Sequence, residues 1–520
     1  MKNHYLKYIR RTLALLMLIG ITWLFVDFTG VVHHHVGFLA KWQFLPAVLA
    51  LNVTVIVVLV VLTLLLGRIY CSVVCPLGIM QDLLAHLHIS HRFSMGKRKK
   101  AGKLGRYSYS PERKWLRYSV LAVFIVALVA GLGSVVALLA PYSSFGRIAA
   151  NLFKPIYELG NNVLADRSAA AGNYDYYYVD LWIRSLPTFI IAAATFVVLT
   201  ILAIFGGRTY CNTICPVGTV LSFLSRFSLL KINFDTAKCR NCSACTRACK
   251  ASCIDYKNHA VDYSRCVVCG NCLGACKFGA LHYSPKKAAH ITPAPTQTVT
   301  TPSLTEREGN GSLSRRAFLI SSAMLATSAA ATKAQKTVDG GLAAIAPKQP
   351  PKRQTPLTPP GSLSAAHLAQ HCTGCQLCVA QCPNNVLRPS ADSWLTVMQP
   401  TMSYERGYCR PECTRCSNVC PTGAIRLISH EDKAAIQIGH AVWNRELCVP
   451  LTDGVDCGNC ARHCPAGAIT MVPFDPDDEY SINIPTVNES RCIGCGACEY
   501  VCPARPSALH VEGHEVHRTI

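Results

Sequence analysis

Twenty-nine cysteines stand in 520 residues, and most of them keep a fixed spacing. Cys239, Cys242, Cys245 and Cys249 are separated by two, two and three residues, and Cys266, Cys269, Cys272 and Cys276 repeat that run. Four more quartets follow: Cys372, Cys375, Cys378, Cys382; Cys409, Cys413, Cys416, Cys420; Cys448, Cys457, Cys460, Cys464; and Cys492, Cys495, Cys498, Cys502. These last four each end in Cys-Pro, at Pro383, Pro421, Pro465 and Pro503. The Cys409 run has three residues in its first gap and the Cys448 run has eight, so their loops are longer. Thiolates in runs of this kind hold [4Fe–4S] clusters. The chain is far too long to be a small disulfide-stapled scaffold. The chemistry indicated is one-electron transfer rather than bond-making, and no Ser/His/Asp arrangement, phosphate loop or flavin fingerprint competes with it.

Two further cysteine pairs sit in a repeat. Gly67-Arg68-Ile69-Tyr70-Cys71-Ser72-Val73-Val74-Cys75-Pro76-Leu77-Gly78 returns 140 residues later as Gly207-Arg208-Thr209-Tyr210-Cys211-Asn212-Thr213-Ile214-Cys215-Pro216-Val217-Gly218. One pair is too few for a closed site. Two symmetry-related pairs supply four thiolates, enough for one tetrahedral metal or one cluster. Two readings stand. In one, Cys71, Cys75, Cys211 and Cys215 form a shared metal site. In the other, the motifs are structural turns and Pro76 and Pro216 end helices. Arg68 and Arg208 either neighbour a quinone head group or mark a membrane interface. Cys253 lies outside every run and reads as a bystander thiol.

The elements that must position these groups begin with membrane spans. Half of the residues are hydrophobic and only 15% are charged, against about 25% charged in soluble chains. Four apolar stretches are long enough to cross about 30 Å of hydrocarbon: Thr12–Phe28, Leu45–Leu66, Leu116–Leu139 and Thr188–Gly206. Lys2, Lys7, Arg10 and Arg11 precede the first, and residues 68–118 carry eleven Lys and Arg against Asp82 and Glu112. Residues 30–44 carry only Lys41. The positive-inside rule therefore predicts both ends of the bundle in the cytoplasm. Tyr174–Tyr178 reads as an interfacial aromatic belt or as loop packing. The histidines His33–His35 read as solvated loop, with quinol-proton acceptance or metal binding as the alternative. The net charge of +22 does not imply nucleic acid, because the basic residues flank apolar runs instead of forming one basic domain. Residues 337–520 carry 14 Lys and Arg against 17 Asp and Glu, so the basic half ends before them.

The first two quartets match the bacterial two-cluster ferredoxin pattern. Three thiolates of each run take one cubane and the fourth reaches the neighbour. This predicts one cluster on Cys239, Cys242, Cys245 and Cys276, and another on Cys249, Cys266, Cys269 and Cys272. Lys250 and Lys277 replace the usual prolines. In the C-terminal quartets the exchange of fourth cysteines is open, between adjacent runs or between inner and outer pairs. Between the two cysteine-rich parts, Ser314-Arg315-Arg316-Ala317-Phe318-Leu319 precedes a mildly apolar stretch and reads as a twin-arginine export signal, cleaved or retained as a fifth anchor.

The predicted architecture is an α-helical membrane bundle of four spans with α+β ferredoxin-like iron–sulfur domains. Residues 1–230 form the membrane domain and 231–285 a cytoplasmic two-cluster module. Residues 286–312 are a linker, 313–335 the signal or anchor, 336–365 a Pro-rich linker and 366–520 a periplasmic four-cluster domain.

Residues 1–285 resemble the NapH-type membrane ferredoxin family, and residues 312–520 resemble the NapG/MauM-type family, so the chain looks like a fusion of the two. The resemblance implies a quinol dehydrogenase or electron-transfer subunit of a bacterial inner membrane. It would carry six [4Fe–4S] clusters, take electrons from quinol within the lipid, and pass them to a periplasmic c-type cytochrome or terminal reductase, as in nitrate respiration. Two other functions fit the same motifs. One is a reductase maturing a metalloenzyme; the other is an iron–sulfur redox sensor, for which no output domain is visible.

Overall fold

The computed structural model describes residues 2–94, 107–285, 338–339, 343–344, 348–478 and 480–520. The twin-arginine segment, residues 313–335, lies outside the described residues.

The first expected span is one helix, α1 (Lys2–Val26). The second is divided into α2 (Phe44–Leu49) and α3 (Val53–Leu66). Leu51 takes a left-handed φ of 51°, and the Asn52 side chain caps α3 by accepting from the Val55 N–H at 3.3 Å. The first repeat then forms a short helix, α4 (Tyr70–Val73), and α5 (Pro76–Ser94). The third expected span is divided as well, into α6 (Lys114–Val129) and α7 (Gly133–Leu139), parted where Gly131 turns left-handed at φ +71°. Helix α8 (Pro141–Ile148) follows, every one of its residues buried. A π-helical turn at Ala149–Phe153 leads into α9 (Lys154–Ala170). The fourth span is a single helix, α10 (Leu186–Gly206), followed by α11 (Thr209–Thr213) and α12 (Pro216–Ser225). Among the described residues, two helical stretches are by themselves long and apolar enough to cross a membrane: Lys7–Val26 and Leu186–Gly206. The expected second and third spans are segmented because a cap residue and a glycine interrupt the helical hydrogen bonds.

The outward faces of these helices are apolar. Leu16 and Trp23 on α1, Val57 and Val61 on α3, and Val126 on α6 are exposed, as are Val198 and Phe205 on α10. Contiguous apolar patches of this kind are rare on soluble monomers. Four arginines, Arg68, Arg117, Arg147 and Arg208, are instead buried inside the bundle.

The first cysteine module closes on an antiparallel pair, β1 (Leu230–Phe234) with β2 (Leu281–Pro285), Ile232 opposite Tyr283. Between them lie two one-turn helices, α13 (Ala244–Ala248) and α14 (Asn271–Ala275). The C-terminal unit repeats the scheme with α15 (Leu377–Gln381), α16 (Arg415–Val419), α17 (Asn459–Arg462) and α18 (Ala497–Val501). Its ladders join β3 (Ile436–Trp443) to β6 (Leu509–Thr519), and β4 (Ile469–Pro473) to β5 (Asn483–Val487). On β6, His517 Nε2 lies 2.8 Å from Thr358 Oγ1. Burial, and then His514, lower its pKa from 6.5 to about 4. An unfolded histidine protonates first, so the native unit loses up to about 3 kcal/mol as pH falls from 6.5 to about 4. Denaturant titrations across that window check this; His517→Gln is expected to flatten the pH dependence.

The two cysteine-bearing units sit at opposite ends of the bundle. At one end, Lys7 of α1 packs beside Gly270, Leu229 N–H donates to the Leu64 carbonyl at 2.7 Å, and Arg208 N–H donates to the Lys250 carbonyl at 2.9 Å. At the other, Gln381 Nε2 donates to the Leu24 and Asp27 carbonyls at 2.7 and 2.8 Å, and Arg415 Nη2 donates to the Thr29 carbonyl at 2.8 Å. Twenty residues separate Lys7 from Asp27, which at 1.5 Å per residue is about 30 Å.

Candidate metal centres

In five of the six ferredoxin-like runs the residue after the second cysteine is left-handed: Ser243 (φ 56°), Gly270 (φ 71°), Gln376 (φ 63°), Gly458 (φ 103°) and Gly496 (φ 77°). The turn starts the short helix that follows and swings the third thiol toward the first two. Ser243 and Gln376 adopt this conformation at a steric cost that glycine avoids. The exception is Thr414, at φ −110°, in the run whose first gap is one residue longer.

Three cavities are each walled by four cysteines. The first brings together Cys239, Cys242, Cys245 and Cys276. The second brings together Cys382, Cys409, Cys413 and Cys416, and the third Cys464, Cys492, Cys495 and Cys498. The remaining thiols interact within complementary sets. Cys272 does so with Cys249, Cys266 and Cys269; Cys378 with Cys372, Cys375 and Cys420; Cys448 with Cys457 and Cys502, and Cys460 with Cys448 and Cys457. In each cavity the fourth cysteine of one run stands with the first three of the adjacent run, which favours exchange between adjacent runs over exchange between inner and outer pairs. Each C-terminal fourth cysteine outside Cys382 receives a backbone N–H on its sulfur: Ile425 to Cys420 at 3.4 Å, Ala468 to Cys464 at 3.2 Å, and Ala508 to Cys502 at 3.3 Å. Such bonds favour thiolate and raise the potential of a bound cluster. Donor set, enclosure and N–H···S bonds all fit [4Fe–4S] ligation. Among the described residues no group of three or more His, Cys, Asp or Glu, the Cys71, Cys75, Cys211 and Cys215 set included, converges as the ligands of a single metal ion would. Cys420→Ser should remove the same paramagnetic signal as Cys372→Ser and leave the signal lost in Cys382→Ser intact; loss of the same signal in Cys382→Ser and Cys372→Ser would disprove the exchange.

The bundle repeat is a reciprocal device. Cys71, Cys75, Cys211 and Cys215 are each 4–5% exposed, and the four thiols interact with one another. Arg68 reaches into the second repeat, donating to the Cys211 carbonyl at 3.3 Å and to Asn212 Oδ1 at 3.0 Å, while its Nη2 lies 3.7 Å from Cys71 Sγ. Arg208 reaches into the first repeat, donating to the Cys71 carbonyl at 2.5 Å. Both arginines are buried, so neither marks an exposed interface. Pro76 and Pro216 begin helices rather than end them: each holds the first helical position, where its missing N–H costs nothing. Cys215 is the N-cap, its sulfur accepting from the Gly218 N–H at 3.3 Å. A Cβ at Gly78 would strike the Cys71 carbonyl and one at Gly218 the Cys211 carbonyl, which explains the glycine in each motif.

Asp82 anchors this array. Arg208 grips it with Nε and Nη2, both at 2.9 Å, with Lys250 at 3.5 Å and Arg10 at 3.7 Å. Burial alone would push the carboxyl up, but Arg208 and Lys250 outweigh it and hold it well below the usual carboxylate range.

Contacts connect the thiol groups from one to the next. Cys245 interacts with Cys272, joining the two sites of the first module. Arg68 donates to the Ser264 carbonyl at 2.9 Å and interacts with Cys266, joining the inner site to the bundle quartet. Tyr210 Oη donates to the Leu139 carbonyl at 3.2 Å at the end of α7, and Gly146 on α8 packs against the Cys375 carbonyl. In the C-terminal unit Cys378 interacts with Cys416, Cys409 with Cys495, and Cys498 with Cys460. The order runs from Cys239 at one end to the Cys448 group at the other.

Several predicted residues fall elsewhere. Cys253 is no bystander by position: its sulfur lies 3.5 Å from Cys249 Sγ and it also bonds Cys266. His33 packs toward Asn418 of the C-terminal unit, and burial lowers its pKa. Tyr174, Tyr176, Tyr177 and Tyr178 are exposed on the loop before α10, with Tyr177 edge-on to Phe28 at 5.7 Å. Sequence reading missed Asp82, Gln381 and Trp182. Trp182 stacks under Arg388 and Arg406, both at 4.7 Å, and so fastens that loop to the C-terminal unit. Asp82 and Trp182 lie outside the repeated motifs, and Gln381 occupies a non-ligand position between Cys378 and Cys382, so the spacing marked none of them.

Fold and thiol geometry together define an iron–sulfur electron-transfer protein of ferredoxin type. A 4Fe-4S binding domain family matches residues 48–99 and 187–235, a 4Fe-4S dicluster domain family matches 371–424 and 455–505, and a further 4Fe-4S binding domain family matches 259–282. The chain is 30% identical over 183 residues to the methylamine utilization ferredoxin-type protein MauM of Methylophilus methylotrophus, covering 33% of this chain and 77% of that protein. It is 31% identical over 184 residues to the ferredoxin-type protein NapG of Escherichia coli, covering 33% and 79%. It is 27% identical over 166 residues to NapF of the same organism, covering 32% and 90%. The chain belongs to the family of ferredoxin-type proteins that includes MauM and NapG. No solved structure matches it.

Proposed function

We propose that this protein is a membrane-bound electron conduit, a fusion of a NapH-type membrane ferredoxin with a NapG/MauM-type ferredoxin, acting as the quinol dehydrogenase component of a respiratory pathway. Four spans, two of them segmented, cross the inner membrane. Six [4Fe–4S] clusters occupy the six ferredoxin-like sites, and the Cys71/Cys75/Cys211/Cys215 quartet holds a seventh iron–sulfur centre between them. The module of residues 231–285 faces the cytoplasm and that of residues 366–520 the periplasm, where a c-type cytochrome or terminal reductase takes the electrons.

One observation carries this reading. Two thiol-rich units cap opposite ends of an apolar-faced bundle about 30 Å deep, and a buried thiol quartet stands between them. Isolated thiol-lined sites on one side of a membrane would need no such quartet. The residues supply what relay requires: largely buried sets of four thiols, with guanidiniums close to some of them. Quinol, a two-electron donor, would give its electrons singly to clusters and release its protons.

The test is reduction of the clusters by a quinol analogue in membranes holding the full-length protein, followed by paramagnetic resonance. Cluster signals that grow at catalytic rates support the proposal. Clusters that quinol leaves oxidised, yet a chemical reductant reduces, would contradict the quinol dehydrogenase role and favour a maturation reductase.

A further inference from the structure

The bundle buries a cation that has no carboxylate. Arg147 on α8 is 0% exposed. Its Nη1 donates to the Ala137 carbonyl at 2.5 Å and its Nη2 to Ser144 Oγ at 3.3 Å, while Nε is buried without an acceptor. Its chargeable neighbours are Tyr210, on the bundle side, and Cys375, on the side of the C-terminal unit. A guanidinium stays protonated in proteins, and a buried charge with neutral partners alone is strongly disfavoured. Arg117 and Arg208 show the contrast, holding Glu112 and Asp82, whereas Arg68 also lacks a carboxylate and lies 3.7 Å from a thiol, Cys71 Sγ.

The surroundings of Arg147 identify the missing anion. Tyr142 on the same helix has a buried hydroxyl without a partner, and it interacts with Cys375 and Cys420. Gly146 packs against the Cys375 carbonyl, and Asn151 Nδ2 donates to Gln376 Oε1 at 2.8 Å. Two unsatisfied donors of one short helix therefore face one thiol group of the opposite unit. A cubane held by four thiolates carries net negative charge, and it would satisfy both.

We propose that Arg147 is the counter-charge for the cluster held by Cys372, Cys375, Cys378 and Cys420, contributed by the bundle, so that the C-terminal unit seats in its cluster-loaded form. The inference rests on the reading that these four thiols hold a cluster. It adds that the bundle, alongside the ferredoxin-like unit, helps to set that cluster's potential. Reduction adds one electron to the cluster and neither makes nor breaks a bond to Arg147. The guanidinium favours the more negative, reduced state, so its removal lowers the potential.

The experiment is a potentiometric titration of the full-length, anaerobically purified protein, followed by paramagnetic resonance, in wild type, Arg147→Gln and Arg147→Lys. The relevant signal is the one lost in Cys420→Ser. The expected result is a downward shift of that signal alone in Arg147→Gln, largely restored in Arg147→Lys. Loss of iron from the C-terminal unit in Arg147→Gln but not in Arg147→Lys also supports the proposal. An unmoved potential with full iron content would overturn it, as would equal shifts or equal iron loss in both variants, because shape rather than charge would then be responsible. Absence of any cubane signal in the wild-type protein would instead defeat the underlying cluster assignment.

Discussion

A chain carrying Cys71→Ala and Cys211→Ala is expected to keep the clusters of both ferredoxin-like units and to pass no electrons between them. The two cysteines belong to different repeats, and each loses its place in the one buried quartet between the units. Iron content should fall by about four atoms per chain, one cubane's worth. The paramagnetic signals of the outer clusters should persist, because their ligands lie at the bundle's ends. Reduction of the C-terminal clusters by electrons fed to the first module should drop to the rate of membranes without the protein. Alanine leaves little volume change where a thiol stood, and the arginine bonds to the Cys71 and Cys211 carbonyls survive, since they use backbone oxygen. Cys75→Ala with Cys215→Ala should behave alike. Iron measured against protein, with cluster reduction kinetics on the same sample, checks both.

The second large effect is expected from Asp82→Asn. Asp82 holds Arg208 with two bonds of 2.9 Å and has Lys250 and Arg10 within 4 Å. The amide removes the only carboxylate of this group and leaves three cations facing one another in a buried site. Breaking a buried ion pair from one side costs about 3–5 kcal/mol. Two consequences are separable. Arg208 should relax away from the Cys71 carbonyl, disturbing the quartet, and Lys250 should keep only its 3.3 Å bond to the backbone carbonyl of residue 82, loosening the first module. Thermal inactivation and protease sensitivity of residues 231–285 in purified membranes measure the loss. A variant as stable as wild type would show that the carboxylate is dispensable.

The cysteine runs were readable because cluster ligation demands fixed thiol spacing, and a spacing survives in sequence whatever surrounds it. The left-handed residues after the second cysteines follow from the same constraint, and Gly270, Gly458 and Gly496 announce them. The exchange of Cys382 with Cys420 was not readable, because equal gaps between runs permit several pairings and only tertiary packing selects one. The apolar stretches were legible, two of them as single long helices, but the interruptions at Leu51–Asn52 and Gly131 depend on single residues inside otherwise unbroken hydrophobic runs. Arg68 and Arg208 misled for a physical reason. At the end of an apolar run an arginine ordinarily reaches for water, whereas here each reaches across to the other repeat and is paid with carbonyls, Asn212 and Asp82. Proline after cysteine carried a double meaning too: the residue that ends one helix can equally begin the next, and the N-cap bond of Cys215 decides for the second.

The most direct measurement uses sealed vesicles containing the purified protein, with an impermeant oxidant trapped inside and an impermeant reductant added outside. The account predicts that the trapped oxidant is consumed at a rate proportional to protein, and that Cys71→Ala with Cys211→Ala brings this to the protein-free rate while the outer cluster signals persist. Equal consumption by wild type and variant would contradict a route through the bundle quartet.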